Sequence, residues 1–241
     1  MSRDSRILSI PGHAELHVRT RSGRVSIVAE ERSDVSVESD APLRDDKVEV
    51  DPRGRASITS SRGGSGWLEI RCPAGTDVGV GTVSGNVELA GPLGAVKVIT
   101  VSGHIEVERA ETLDARSVAG SIEVSSCVGR CQLQTKSGRA ICGTAAEAQA
   151  STLSGMIRLA QIAGNVSAQS VSGKIDIGMR SAGDVKVQTM SGAVTVAVPH
   201  GMKPAAHLRS MTTRPRVDVE EGNDFQIRVQ SLSGKIEVVP S

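Results

Sequence analysis

A short unit, Thr/Ser-x-Ser-Gly-x-apolar-x-apolar, recurs along the middle of the chain and constrains the fold more than any other feature of the sequence. Clear copies begin at Thr82, Thr100 and Ser170. From Gly85 to Gly192 the glycines of successive units are separated by 18, 17, 18, 17, 18 and 19 residues. Repetition at so constant an interval is typical of a solenoid, in which each repeat packs only against its neighbours.

Each unit also has an alternating segment ahead of the Ser-Gly step. Small or branched apolar residues lie seven and five positions before the glycine: Val78/Val80, Val96/Val98, Leu113/Ala115, Cys131/Leu133, Ala148/Ala150, Val166/Ala168 and Val185/Val187. Alternation with a period of two predicts a strand that is buried on one face. After the glycine the apolar residues fall at even offsets instead of odd ones. The buried face must therefore change near the step, where glycine permits a bend.

The same alternation continues towards both ends of the chain. Upstream pairs are Leu16/Val18, Val25/Ile27, Val35/Val37, Val48/Val50, Ala56/Ile58 and Leu68/Ile70, and downstream pairs are Ala206/Leu208, Val217/Val219, Ile227/Val229 and Ile236/Val238. Taken in chain order, they predict an all-β, single-domain parallel β-helix (β-solenoid) of about twelve coils with two main strands per coil. The domain covers residues 1–241, with irregular coils over 1–72, regular repeats over 73–198 and longer turns over 199–241. The strand with Ile227 and Val229 is then expected to be an open edge.

Composition excludes several classes of function. The chain has 28 basic and 27 acidic residues, so no strong field draws it to nucleic acid or to an anionic membrane. Its aromatic residues are one tryptophan and one phenylalanine. So few rings argue against base stacking and against the sugar platforms of polysaccharide-processing enzymes.

The sequence shows no targeting or membrane-spanning segment. The first residues lack the apolar core of a signal peptide, and no apolar run approaches the length that crosses a bilayer. We therefore expect a cytoplasmic protein with no membrane span. Its four cysteines form no CxxC pair and are expected to be reduced.

The Ser-Gly-x-Ile-x-Val units resemble those of DUF4097, a bacterial family of adhesin-like β-strand repeat proteins. The resemblance is strongest from Pro73 to Val198 and again from Ser231 to Val238. The segment Pro73-Ala74-Gly75-Thr76-Asp77-Val78 is similar to the start of that family's repeats. Because the motif is structural, the resemblance implies a repetitive β fold and very little chemistry.

The residues two positions before each glycine are mostly apolar, and their direction is open. They are Val83, Val101, Val118, Leu153, Val171, Met190 and Leu232. If the buried face changes at the glycine, they point outward and form a stripe suited to lateral association. If it changes earlier, they fill the corner of the core. We favour the core placement.

No candidate catalytic, cofactor or metal site stands out. Glu88, Glu106 and Glu123 recur at one outward position, where we expect a solvated face rather than a cation site. Cys131 and Cys142 occupy inward positions and are expected to pack as core residues. Cys127 lies near a turn and would be reactive only if exposed.

The sequence favours a noncatalytic function. We predict a rigid scaffold that presents polar ladders, such as Gln132, Gln134, Gln149, Gln169 and Gln188, for protein binding or self-assembly. One alternative is a head-to-tail polymer similar to bactofilins, formed through open strand edges. Another is an enzyme like the left-handed β-helix acyltransferases, but the histidines are scattered and His104 has no acidic residue placed to orient it. Whether the protein binds a small molecule is left open.

Overall fold

The computed structural model describes residues 4–9, 14–40, 48–51, 55–60 and 66–241. These residues form strands joined by turns and bends, with no helix among them. The predicted all-β class is confirmed. The chain divides into two compact units, Met1–Gly120 and Ser121–Ser241. The single-domain assignment stays a prediction.

The strands of the first unit begin near its amino terminus. They are β1 (Asp4–Ser9), β2 (Glu15–Thr20), β3 (Ser22–Glu30), β4 (Asp34–Ser39), β5 (Val48–Val50), β6 (Arg55–Ser60), β7 (Trp67–Pro73), β8 (Asp77–Gly81), β9 (Ser84–Ser102) and β10 (Ile105–Ala119). The second unit has β11 (Ile122–Ile162), β12 (Val166–Met179), β13 (Val185–Ser191), β14 (Val194–Val198), β15 (Ala205–Ser210), β16 (Arg216–Val217), β17 (Gln226–Ser233) and β18 (Ile236–Pro240).

Parallel pairing at the repeat interval places equivalent residues of successive repeats side by side. In the first unit Ile105 of β10 pairs with Val87 of β9. In the second unit Ile175 of β12 pairs with Ile157 of β11. These side chains are fully buried, as the alternation predicts. Each repeat thus contributes one layer to a shared apolar core.

The order of the layers in the first unit departs from chain order. β2 lies between β6 and β8, and β3 lies between β7 and the start of β9. Residues 14–30 are therefore sandwiched between segments that follow them in the sequence. The prediction of layers stacked in chain order is wrong here, because alternation tells which face is buried and not which strand is the neighbour.

Two upstream pairs do not form the parallel coil that the sequence predicted. Val35 and Val37 lie on β4, which pairs antiparallel with both β7 and β1. Val48 and Val50 lie on β5, which pairs antiparallel with β6. Antiparallel strands of this kind cover the edges of parallel ladders that would otherwise be open.

The second unit has a similar exchange near its end. β17 lies between β13 and β15, and β18 lies between β14 and β16. The predicted open edge at Ile227 and Val229 is therefore wrong, since both residues are fully buried in an interior strand. β15 occupies the outer position instead.

The buried face changes at the glycine of the Ser-Gly step. Gly173, at one such step, has φ of +147°, a value that side-chain-bearing residues rarely adopt. A Cβ atom on Gly173 would collide with the carbonyl oxygen of Gly155, its partner on the neighbouring strand. Both the bend and the close approach of the strands therefore require glycine.

A column of hydroxyl side chains lies inside each unit, three positions before the glycines. The buried members are Thr82, Thr100 and Ser117 in the first unit and Thr135, Thr152, Ser170, Thr189 and Ser231 in the second. Thr152 Oγ1 donates to the Ser154 carbonyl oxygen at 3.3 Å and supports the bend. Thr100 Oγ1 is buried with no hydrogen-bond partner among the described residues.

Replacing Thr100 with valine is expected to raise the free energy of unfolding by about 1 kcal/mol, because it removes a buried hydroxyl that lost its water without gaining a partner. The matched control, Thr152→Val, is expected to lower it by about 1 kcal/mol, because a hydrogen bond is lost. Urea denaturation measures both. A loss of stability in Thr100→Val would contradict the assignment of an unsatisfied hydroxyl.

Candidate interaction surfaces

The apolar residues two positions before the glycines are exposed, which corrects our preferred placement in the core. Between 40% and 58% of the surface of each is accessible: Val83 and Val101 (49% and 47%), Val118 and Val171 (both 40%), Leu153 (58%), Met190 (53%) and Leu232 (48%). The physical reason is the position of the bend. Because the buried face changes at the glycine itself, the residue two positions earlier still points outward.

In the second unit four of these side chains form a continuous ridge. Thr152 pairs with Ser170, and Ser154 with Ser172, so that Leu153 lies beside Val171. The registers of β12 with β13 and of β13 with β17 continue the row. We call Leu153, Val171, Met190 and Leu232 the apolar ridge. With about 4.8 Å between strands, its length is roughly 14 Å.

The apolar ridge and its neighbours on the same four strands carry no charge, and Lys136 is the one charged residue among those that line the adjacent groove. On its four strands the ridge residue, the two residues before it and the one after it are serine, threonine, glutamine or apolar, over residues 151–154, 169–172, 188–191 and 230–233. Gln169, Gln188 and Gln230 stack in register along one side. A groove of about 450 Å³ runs along the ridge beside them. In a chain whose residues are 23% charged, a face with one charged residue in its groove is suited to a surface that loses its water on binding.

A second groove, of about 450 Å³, lies on the first unit. β8 buries Val78 and Val80 and turns Gly79 and Gly81 outward, which leaves a trough one strand wide. Its side walls come from β2 and β9: His17, Arg19, Lys97 and Ile99. Sequence reasoning missed this trough, although the glycines alternate visibly with the valines of the strand.

The trough has a mixed electrostatic character. At one end His17 Nε2 lies 2.7 Å from Glu15 Oε1, and Arg55 Nε donates to Glu15 Oε2 at 2.8 Å. These two hydrogen bonds hold the pKa of the Glu15 carboxyl below its usual value. The side chains of Arg19 and Lys97 are exposed along the walls. A carboxylate held by two basic groups is suited to positioning its neighbours rather than to proton transfer.

The outward glutamates are accompanied by arginines. In the first unit Glu106 pairs with Glu88, and Arg24 Nε lies 3.3 Å from Glu88 Oε1. In the second unit Arg139 lies 3.2 Å from Glu123. No group of three or more metal-ligating side chains occurs in the described ranges. Arg24 and Arg139 therefore offset the charges of Glu88 and Glu123.

The cysteines are core residues. Cys131 and Cys142 have no accessible surface, as expected, and Cys127 is buried as well. Hydrogen bonds to Cys127 and Cys142, together with burial, raise the pKa of Cys131 well above its usual value. Burial also raises the pKa of Cys72. Protonated, buried thiols are poor nucleophiles.

The four described histidines lie on different strands and turns. His104 is half-buried, and its backbone amide donates to the Asn86 side chain at 3.1 Å. His200 and His207 are exposed, and His13 lies outside the described residues. Of the predicted glutamine ladder, Gln169 and Gln188 stack as expected, whereas Gln149 accepts a hydrogen bond from Arg130.

The described residues contain no helix that is long and apolar enough to cross a membrane.

The sequence model of the family described as Toastrack DUF4097 matches residues 7–239. No curated protein is significantly similar to the chain.

Three solved structures resemble the chain over nearly their whole length. Candidate adhesins from Parabacteroides merdae, Parabacteroides distasonis and Bacteroides fragilis are 12%, 14% and 12% identical to it, with TM-scores of 0.44, 0.47 and 0.46. The alignments cover 99%, 100% and 98% of this chain and 96%, 97% and 97% of theirs. Likeness at this level indicates nothing about ligands or partners.

Proposed function

The chain belongs to the Toastrack DUF4097 family, and on this premise we propose that it is a noncatalytic β-solenoid scaffold that binds a protein partner through the apolar ridge of its second unit. The solenoid consists of stacked coils with two main strands each. The single observation that carries the proposal is the ridge itself: four exposed apolar side chains in register, bordered by a groove and by uncharged polar residues.

The arrangement matches the anatomy of a protein interface. An apolar centre loses its water on binding, and the surrounding polar groups form hydrogen bonds with the partner and exclude solvent. Gln169 and Gln188 each offer both a donor and an acceptor beside the ridge. The ridge side chains and the glutamines beside them are uncharged, so that of the residues lining the groove only Lys136 would lose water as an ion.

The size of the apolar ridge sets the expected strength of partner binding. Burying the exposed part of four such side chains contributes on the order of 4 kcal/mol. An affinity that rests on the ridge alone would be in the millimolar range, so tighter binding requires the groove and its hydrogen bonds. We therefore expect a transient partner rather than a permanent subunit.

The double variant Leu153→Gln/Met190→Gln is expected to weaken partner binding at least about tenfold, because the centre of the interface becomes polar. The partner is the protein that the wild-type chain enriches from its native host, identified by quantitative mass spectrometry, and its affinity is then measured with purified proteins. The matched control is Val128→Gln, which replaces an apolar residue of the same unit that is 57% exposed and lies outside the ridge. If the ridge variant keeps every partner at wild-type affinity, the proposal is wrong.

A head-to-tail polymer is the second candidate function. The observation that favours it is β15, whose only partner strand among the described residues is β17.

The cytoplasmic location expected from the sequence stays a prediction, which cell fractionation tests.

A further inference from the structure

The outer strand of the second unit, β15, has a hydrogen-bonded neighbour on one side only among the described residues. β15 pairs with β17, and no other strand of the described ranges pairs with it. Ala206 and Leu208 point the same way as the fully buried Ile227 and Val229, yet both are only half-buried. Among the described residues the last layer of the core therefore has a neighbour on one side alone, and the outer backbone edge of β15 pairs with no strand.

The first unit has a short strand with the same property. β5 pairs with β6 and with no other strand of the described residues. Val48 and Val50 align with the buried Ile58 and Ala56, and Val50 is 40% exposed. Glu49, between them, points to the opposite face and is exposed.

The outward faces of the two edge strands have opposite charge. In the second unit Lys186, Arg228 and His207 stand in register on three successive strands, and all three are exposed. Arg209 follows on β15 and is exposed. A further strand carrying an acidic residue at this edge would relieve repulsion within the basic column.

β5 supplies both of the features that the edge of β15 lacks. Its two valines would extend the core layer formed by Ala206 and Leu208, and Glu49 would lie on the face of His207 and Arg209. Because side chains alternate along a strand, the two valines would face the core layer of β15 while Glu49 faces its basic outer side. Pairing β15 with another β15 would instead oppose basic residues to basic residues.

From this match we infer that the protein assembles with itself, the outer edge of β15 in one copy pairing with the outer edge of β5 in a second copy. The interface is heterologous, because it joins different strands of the two copies, so each added copy offers a free edge to a further copy. It uses neither the apolar ridge nor its groove, so it is independent of the proposed partner binding, and it specifies the two strand edges of the polymer named as the second candidate function.

The test is the mass of the purified protein as a function of its concentration, measured by sedimentation velocity, with electron microscopy of the largest species. The wild type is expected to form a series of oligomers. Arg209→Glu and Glu49→Arg are each expected to raise the dissociation constant about tenfold or more. The double variant Arg209→Glu/Glu49→Arg is expected to return it to within about threefold of wild type, because the charge pair is restored in reverse.

Rescue by the double variant separates a charge contact from a folding defect, and circular dichroism checks that each single variant is folded. Arg180→Glu, at an exposed arginine of the second unit, is the matched control and should assemble like wild type. The ridge variant Leu153→Gln/Met190→Gln should also assemble normally, which keeps this test independent of the partner test.

A wild type that stays monomeric at its highest soluble concentration would overturn the inference. So would oligomers that Glu49→Arg leaves at wild-type affinity, since these do not use β5.

Discussion

Replacing Gly173 with alanine is expected to lower the free energy of unfolding by about 2–4 kcal/mol. The first cause is conformational, because alanine at a φ of +147° is strained. The second is steric, because the new methyl group meets the carbonyl oxygen of Gly155 and pushes two paired strands apart. Urea denaturation followed by circular dichroism measures the change.

Gly81→Ala is the matched control. Gly81 also lies on a strand, but its φ is not positive, and no atom lies within 4 Å of the place a Cβ would take. This variant should lose no stability and could gain up to about 1 kcal/mol, because the unfolded chain becomes less flexible. Equal losses in both variants would show that the bend at the Ser-Gly step does not depend on glycine.

Replacing Ile175 with alanine is expected to lower the free energy of unfolding by about 3–4 kcal/mol. Ile175 has no accessible surface and is held between Ile157 and Val194 of the two neighbouring strands. Truncation leaves a cavity that a rigid ladder of strands cannot close. The same denaturation experiment measures the effect.

The control for this variant is Leu153→Ala, at a residue that is 58% exposed. Its expected loss is below about 1 kcal/mol, because most of the leucine surface is already in water. If both variants lose the same stability, Leu153 belongs to the core and the proposed binding face does not exist.

Alternation in the sequence predicted which side chains are buried, and it did so even where the layers are exchanged. Leu16 and Val18 are buried on β2 as expected. Alternation does not encode the identity of the neighbouring strand, so the position of β2 between β6 and β8 had no signal in the pattern. The antiparallel direction of β4 was missed for the same reason, since both directions bury Val35 and Val37 equally well.

The candidate surfaces depend on details that the alternation of buried and exposed residues does not show. Whether Leu153 lies in the core or on the surface is decided by a bend located to one residue, and the sequence indicated only the neighbourhood of that bend. The free edge of β15 follows from the insertion of β17, a long-range event that no local pattern of Ala206 or Leu208 reveals. The trough at Gly79 had a local signal, because a glycine between two buried valines leaves the outer face of a strand bare.

The exchanged layers also determine when and how the chain becomes stable. During synthesis residues 14–30 emerge before both of their flanking layers, which are complete only when the ribosome has passed residue 90. The amino-terminal layer must therefore wait for later chain, which is typical of slow folding dominated by distant contacts. At the other terminus, a premature stop before Gln226 would remove an interior layer and separate β15 from β13. β17 and β18 thus hold the second unit closed, and products truncated before them should be recognised as unfolded and degraded.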